Sequence, residues 1–457
     1  MKKMDGGVTV YCKNIVSYMK EKEDIEVYFL SNNCKYTLFS NKIKIKKTKN
    51  CFKDKVKTFS IYNSKLFYAE PQFERIDIYN NDKETCNVID EFIKKYGKFD
   101  VIHFNNLEGI SRETLKLKEK YPNTKFIYSI HNYFPICPNV FLWKKNNESC
   151  VNYNEGRDCV NCIQSHYPIN GKRDVFKKFM KGKIKKIKIL DNPNIKRYLK
   201  KKIIKEKSVT NSSICNGKDY KKFREDNIKY INSYIDEVLC VSERVREIAV
   251  RYGIDENKCR VSYIGTKVAN EVKEPVKYRK NEKINIVYMG YMNKIKGFDF
   301  LISALKQVND KYSKQVNVFL VCRNNDKYEI NKILKELKTK YNDVKYINGY
   351  NHNTMKEILK DKNLGIIPVV WEDNLPQVAI ELVCNGIPIF TSDFGGAKEL
   401  CADNNFVFKG NDIKDFVSKL ENIIKGDVDI NGFWNKFHKP TTMEQHLNEL
   451  YKIYEIN

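Results

Sequence analysis

The chain has 457 residues, 42% apolar and 12% aromatic, which is enough for two large cores and excludes a mainly disordered protein. It carries 83 basic and 57 acidic residues, net +26, and no apolar run reaches 18 residues, which excludes a transmembrane helix. Met1-Lys-Lys-Met-Asp5 leads straight into Gly6-Gly7, so no signal peptide is read. The expected compartment is the cytoplasm, with any membrane contact peripheral. The 14 cysteines lie mostly in apolar segments, such as Cys240, Cys322 and Cys384, and read as small buried residues in a reducing environment.

The N-terminal half alternates apolar strands with amphipathic helices. Gly6 and Gly7 open a helix whose apolar face is Val8, Cys12, Ile15, Val16 and Met19. Strands are predicted at 26–30, 99–104 and 126–131, then at 238–242 and 260–264. A long insertion separates His131 from Val238. Within it, Lys172 to Lys207 holds 16 basic and 3 acidic residues, net +13 in 36 residues. Such a run favours an anionic partner, a membrane surface above all. It lacks the regular aromatic interleaving of a nucleic-acid module, so no specific nucleic acid is expected.

The insertion also carries Cys137, Cys150, Cys159 and Cys162. Cys159-Val-Asn-Cys162 has the spacing of a metal knuckle. Four thiolates would suit a structural zinc, as would three ligands from 150–162 with His166. Free thiols are the alternative.

Residues 266–283 read as a linker. A second α/β domain then spans 284–431, with strands at 284–289, 318–321, 344–347, 365–370 and 387–390. Met289-Gly290 ends its first strand, and Lys296-Gly297 opens the following helix. The apolar run from Leu364 is followed by a polar loop, a helix opened by Pro376, and a short strand after Gly386. The acidic residues of this unit lie where α/β sheets bind ligands. Asp373 and Glu381 are separated by seven residues, and Gly395-Gly-Ala-Lys-Glu399 follows.

This constellation resembles the donor-binding motif of retaining glycosyltransferases of family 4. The resemblance implies GT-B architecture: two doubly wound α/β domains facing a cleft, here 1–265 and 284–431, with the segment 432–457 crossing back to the first. It implies that Asp373 binds the donor sugar and Glu381 the ribose of a UDP- or GDP-sugar. Lys296 would neutralise the departing diphosphate without a catalytic metal. Gly6, Gly7, Ser242, Gly290, Gly395, Gly396 and Glu399 would border the donor, and His131 would lie beside its sugar. No carboxylate stands out as a nucleophile, so front-face transfer with retention is implied.

Two departures from the pattern stand out. Tyr291 replaces an arginine common in the family, with Lys294 nearby. Family members also place a strand before the glycine-rich loop, whereas five residues precede Gly6 here. A miscalled start or a truncated form is expected, at a cost to unpaired strand neighbours. The reaction expected is transfer of a hexose or N-acetylhexosamine to a hydroxyl of a glycan, lipid-linked, in surface polysaccharide synthesis. The alternative is a basic membrane- or RNA-binding protein on the same scaffold with weak or no activity. Donor base, linkage and oligomeric state stay open.

Overall fold

The computed structural model describes residues 7–35, 37, 40, 42–48, 56–64, 66, 82–144, 148–163, 215–280, 282–324, 328–401 and 403–455. Gly6, His166 and the basic run 172–207 lie outside them. Among the described residues, no helix is long and apolar enough to cross a membrane.

The C-terminal half is a six-stranded parallel sheet. Its strands are β8 (Ile284–Tyr291), β9 (Val316–Arg323), β10 (Asp343–Ile347), β11 (Leu364–Ile367), β12 (Ile389–Ser392) and β13 (Val407–Phe408). They run in the order β10-β9-β8-β11-β12-β13. The first strand therefore sits in the middle, and the chain reverses direction across the sheet between β8 and β11. In a doubly wound sheet that reversal opens a crevice at the strands' carboxyl ends. Here the crevice is edged by Gly290, next to last in β8, and by the segment that follows β11. Every residue of β11 and β12 is buried, as a parallel sheet covered on both faces requires. The rings of Phe390 and Phe408 lie 4.8 Å apart, and Phe416 from the helix Ile413–Lys425 packs on both.

The N-terminal half is organised differently. Its strands are β1 (Val27–Lys35), β2 (Lys44–Lys47), β3 (Val56–Tyr62), β4 (Val101–Phe104), β5 (Lys125–Ile130), β6 (Glu237–Cys240) and β7 (Cys259–Val261). They form two sheets, β1-β3-β2 and β4-β5-β6-β7, rather than one continuous sheet. β1 and β4 are not hydrogen-bonded to each other among the described residues. Side chains join the two sheets instead. The rings of Tyr28 on β1 and Phe99 just before β4 meet at 5.0 Å, and both pack on Phe92 of the helix Lys83–Tyr96. Asn32 Nδ2 donates across to Gly109 O (2.7 Å).

The two halves are tied together at the back. Residues 266–276 run along the second domain, with Lys273 N donating to Cys384 O and Val276 N to Gly386 O, each at 2.9 Å. The helix Met443–Tyr454 starts in a capping box formed by Thr442 and Gln445 and packs on the helix Gly7–Met19. Gly265 permits that approach, since a Cβ there would lie 2.6 Å from the His446 Cβ. Tyr11 OH and His446 Nε2 are hydrogen-bonded at 2.8 Å. His103 uses both ring nitrogens, on Tyr454 OH (2.5 Å) and Ser129 Oγ (2.7 Å), which gives it a structural role.

This buried junction gathers three histidines. Burial first, and the neighbouring histidines second, lower His103 and His131 to about 3, and burial lowers His446 to about 4, from an ordinary 6.5. The unfolded chain therefore takes up these protons first. Stability is full above pH 6.5 or so and falls as the pH drops towards 4. The expected outcome is a melting temperature that declines between pH 7 and pH 5. In His446→Gln, which keeps a hydrogen-bonding atom for Tyr11 but does not titrate, thermal melts across that range show a shallower decline.

Candidate donor site in the interdomain cleft

The site is built on the loop between β11 and the helix Gln377–Cys384. Its position is fixed by close backbone approaches. Gly297 has φ +74°, and a Cβ there would lie 1.6 Å from Pro368 O, so only glycine lets the 293–297 turn close on the end of β11. That closure brings Lys296 over the loop. Its Nζ donates to Asp373 Oδ2 (2.5 Å) and stands 5.6 Å from the Trp371 ring centroid. Lys296 and Asp373 are thus one ion pair in this state, a relation that their separation in sequence does not reveal.

Helix ends converge on the same place. The helix Gln377–Cys384 begins after Pro376 with no side-chain cap; Ala379 N donates to Pro376 O (3.0 Å), so Gln377 and Val378 carry the first-turn N–H groups that the helix itself does not use. Gly7, the first residue of the helix Gly7–Met19, faces it from the other domain, and a Cβ on Gly7 would lie 3.8 Å from Gln377 Nε2. Two helix N-termini, each positive through its dipole, therefore face each other, and Lys296 reaches Asp373 four residues before the second. Glu381, one turn into its helix, accepts from Tyr350 OH (3.0 Å). Burial, and then Glu381 itself, raise the Tyr350 phenol, which keeps it a donor.

The remaining expected residues support the loop. Gly395 N donates to Glu372 Oε2 and Gly396 N to Asp373 O, both at 2.9 Å, and a Cβ on Gly395 would lie 2.0 Å from Asp373 O. Ser242 caps the helix Glu243–Arg251 by accepting from Val245 N, and donates across the domain boundary to Asn374 O (2.9 Å). Glu399 reaches the same helix start. It accepts from Glu243 N (3.0 Å), Arg244 N (2.8 Å) and Tyr263 OH (2.8 Å). Ser242, Gly395, Gly396 and Glu399 are thus engaged with protein groups that hold the loop.

The strongest support is a residue pair to which no sequence motif pointed. Glu372 is 1% exposed and receives both Nε (3.0 Å) and NH2 (2.5 Å) of Arg244. This bidentate bridge fastens the loop of one domain to a helix of the other. Arg323 was also missed. It is the exposed register partner of Tyr291, whose ring is 49% exposed, at the carboxyl edge of β8 and β9. A basic residue ending the strand beside β8 was the available signal.

His131 follows β5, with its ring centroid 4.5 Å from that of Tyr11. Its Nε2 is buried and has no hydrogen-bond partner among the described residues. The same holds for Tyr133 OH, Trp371 Nε1 and Asn374 Oδ1. Residues 130–133 and 371–374 face each other, since Asn374 Nδ2 donates to Ile130 O (3.3 Å). Burial first, then the Glu372 and Asp373 carboxylates, push the Tyr133 phenol well up.

The cysteine cluster departs from the zinc expectation. Among the described residues, no group of three or more His, Cys, Asp or Glu is placed to hold a metal ion. Cys159 and Cys162 lie on the helix Arg157–Ile163 and take different partners. Cys162 Sγ donates to Trp143 O (3.6 Å), whereas Cys159 Sγ accepts from Arg224 NH1 (3.1 Å). Arg224 is 2% exposed, with its guanidinium 4.1 Å from the Tyr153 ring centroid. Burial opposes its charge, while Cys137, Cys159 and Cys150 favour it. A guanidinium, not a metal ion, is the cation that these thiols surround.

Residues 270–440 match the family glycosyl transferases group 1. A protein of Klebsiella pneumoniae, described as an uncharacterized 41.2 kDa protein in the cps region, is 26% identical over 196 residues. The match covers 40% of this chain and 51% of that protein, so the chain spans about half the length of this relative. Similar solved structures include the lipopolysaccharide outer core galactosyltransferase WaaB, with a TM-score of 0.58, 13% identity, and 98% and 96% of the two chains covered. Sucrose-phosphate synthase of Thermosynechococcus elongatus gives 0.55, 14%, 98% and 93% in the same order. Anabaena HepE, solved with UDP and glucose, gives 0.52, 11%, 98% and 96%. These solved structures share the fold of this chain, two α/β domains in GT-B architecture. Residues 270–440 carry its glycosyl transferases group 1 domain.

Glu372→Ala removes the buried carboxylate of Arg244 at the domain junction and leaves it only the pair with the exposed Glu247. Breaking a buried pair from one side costs about 3 kcal/mol. Denaturant unfolding is expected to show that loss, with a smaller one in Glu372→Gln, which keeps the Gly395 contact.

Proposed function

We propose that this chain transfers a hexose or N-acetylhexosamine from a UDP- or GDP-sugar to a hydroxyl of a glycan acceptor, with retention at the anomeric carbon. One observation carries the reading. Buried polar atoms without partners, His131 Nε2, Tyr133 OH, Trp371 Nε1 and Asn374 Oδ1, collect on two facing segments beside a lysine and two helix N-termini. Buried polar groups are nearly always paired, so such a collection asks for a ligand rich in hydroxyls. The adjoining positive ends ask for an anion.

A nucleotide-sugar has both parts. Its diphosphate fits at Lys296 and the amides near Gly7 and Gln377, its sugar at Asp373 and His131, and its ribose at Glu381. The bond from the anomeric carbon to the diphosphate breaks, with its electron pair going to the phosphate oxygen. Lys296 and the helix ends stabilise that charge as it develops. The acceptor oxygen bonds to the same face of the anomeric carbon and yields its proton to the departing phosphate. Asp373 holds Lys296 in place before the donor arrives.

The acceptor we propose is a lipid-linked glycan of surface polysaccharide synthesis. The relative from a cps region supports this choice. The basic run 172–207 would hold the enzyme at an anionic membrane surface through charge alone.

Lys296 and Glu381 separate the roles. Glu381→Ala is expected to weaken UDP or GDP binding about tenfold in calorimetry, because the ribose hydroxyls lose a charged acceptor. Lys296→Ala is expected to slow transfer by roughly 10²-fold with a smaller effect on binding, since its charge matters most in the transition state. Wild-type binding and rates in both variants would reject this site.

A further inference from the structure

The loop that follows His131 is tightly folded and sends Tyr133, Phe134, Ile136 and Leu142 into the core, each buried. Tyr133 N donates to Val140 O (3.1 Å), Val140 N to Cys137 O (2.8 Å), and Cys150 N to Leu142 O (2.6 Å). Its root is held by Arg224 and the buried thiols. At its centre, Val140 has φ +57° and Leu142 has φ +49°. Positive φ is strained for any residue with a Cβ and rare for a β-branched one. Two such residues flank a single side chain, Phe141. Strain of this kind persists only where the surroundings enforce it, and it concentrates where a side chain must be aimed.

Phe141 is aimed across the cleft at Trp371. The two rings meet at 90° with centroids 5.1 Å apart, an edge-to-face contact between the domains. Trp371 is 6% exposed, carries Lys296 above its ring, and precedes Asp373 by two residues. Phe141 itself is partly buried, at the edge of this contact. The contact therefore makes an apolar corner beside the group of unpartnered polar atoms. A pyranose matches that mixture: its C–H face packs on aromatic rings while its hydroxyls take hydrogen bonds.

We infer that Phe141 is a specificity-determining residue, closing the sugar pocket against Trp371 so that an unsubstituted hexose is accepted over a sugar with a bulky 2-acetamido group. The inference rests on the donor-site reading above and adds to it the identity of the sugar class. It also gives the cysteine loop a purpose, since Arg224 and the thiols anchor the segment that presents Phe141.

The test compares donors that share a nucleotide. Release of UDP from UDP-glucose and from UDP-N-acetylglucosamine is measured with membranes as the acceptor source, in the wild type and in Phe141→Ala. If calorimetry shows GDP binding instead, GDP-glucose and GDP-mannose are compared with GDP sugars that bear larger substituents. The expected result is a preference for the hexose in the wild type and a loss of at least tenfold in that ratio of kcat/KM in the variant, the scale on which apolar pockets discriminate. Binding of the free nucleotide stays within about twofold of the wild type. An unchanged ratio in a folded variant, or an equal fall for both donors, overturns the inference and leaves the donor site standing. A wild type that binds neither nucleotide overturns the donor site, and this inference with it. If Phe141→Ala fails to fold, Phe141→Leu is read in the same way, and Phe141→Trp is expected to keep the wild-type preference.

Discussion

The carboxylate of Glu372 sits at the centre of this structure. It is buried, it takes two hydrogen bonds from Arg244 of the other domain, and it also accepts the Gly395 amide. A buried charge is tolerated only when it is paired and fully hydrogen-bonded, so these partners are obligatory. Together they fix the loop that carries Trp371, Asp373 and Asn374 against the N-terminal domain. Glu399 completes the clasp by capping the helix Glu243–Arg251. Both acidic groups come from the second domain and converge on the start of one helix of the first, with the loop 371–374 held against it. Without this clasp, the unpartnered atoms at 131–133 and 371–374 would not face each other.

The same arrangement explains why an ion pair lies inside the site. Lys296 and Asp373 neutralise one another at 2.5 Å. On the proposed reading, a diphosphate arriving at the helix N-termini would compete with Asp373 for the lysine and free the carboxylate for the hydroxyls of the sugar. The two helix ends contribute without moving, because their dipoles are fixed by the fold.

Much of the second domain was legible in the sequence, because strands buried on both faces appear as continuous apolar runs. β8, β9, β11 and β12 are of this kind. The first domain was read less completely. β2 is Lys-Ile-Lys-Lys, an antiparallel edge strand with no apolar signature. The division into two sheets shows only when pairing is known. In the second domain β13, two residues long, went unread for its shortness. At the site, Asp373, Glu381 and Lys296 stood out through spacing and placement. Glu372 and Arg244 are 128 residues apart and leave no local trace. The cysteines illustrate the converse, since Cys159 and Cys162 have a metal-like spacing while their side chains go to Arg224 and Trp143. Spacing along a helix cannot tell which cation a thiol will meet.

The central claim is that this cleft receives a nucleoside diphosphate at Lys296 and the two helix ends. A crystal structure of the protein with UDP or GDP, whichever binds more tightly, tests it most directly. The account predicts phosphate oxygens within hydrogen-bonding distance of Lys296 Nζ and of amides near Gly7 and Gln377, ribose hydroxyls on Glu381, and Lys296 drawn away from Asp373. A nucleotide bound elsewhere, or bound with the Lys296–Asp373 pair intact and no phosphate at the helix ends, would contradict it.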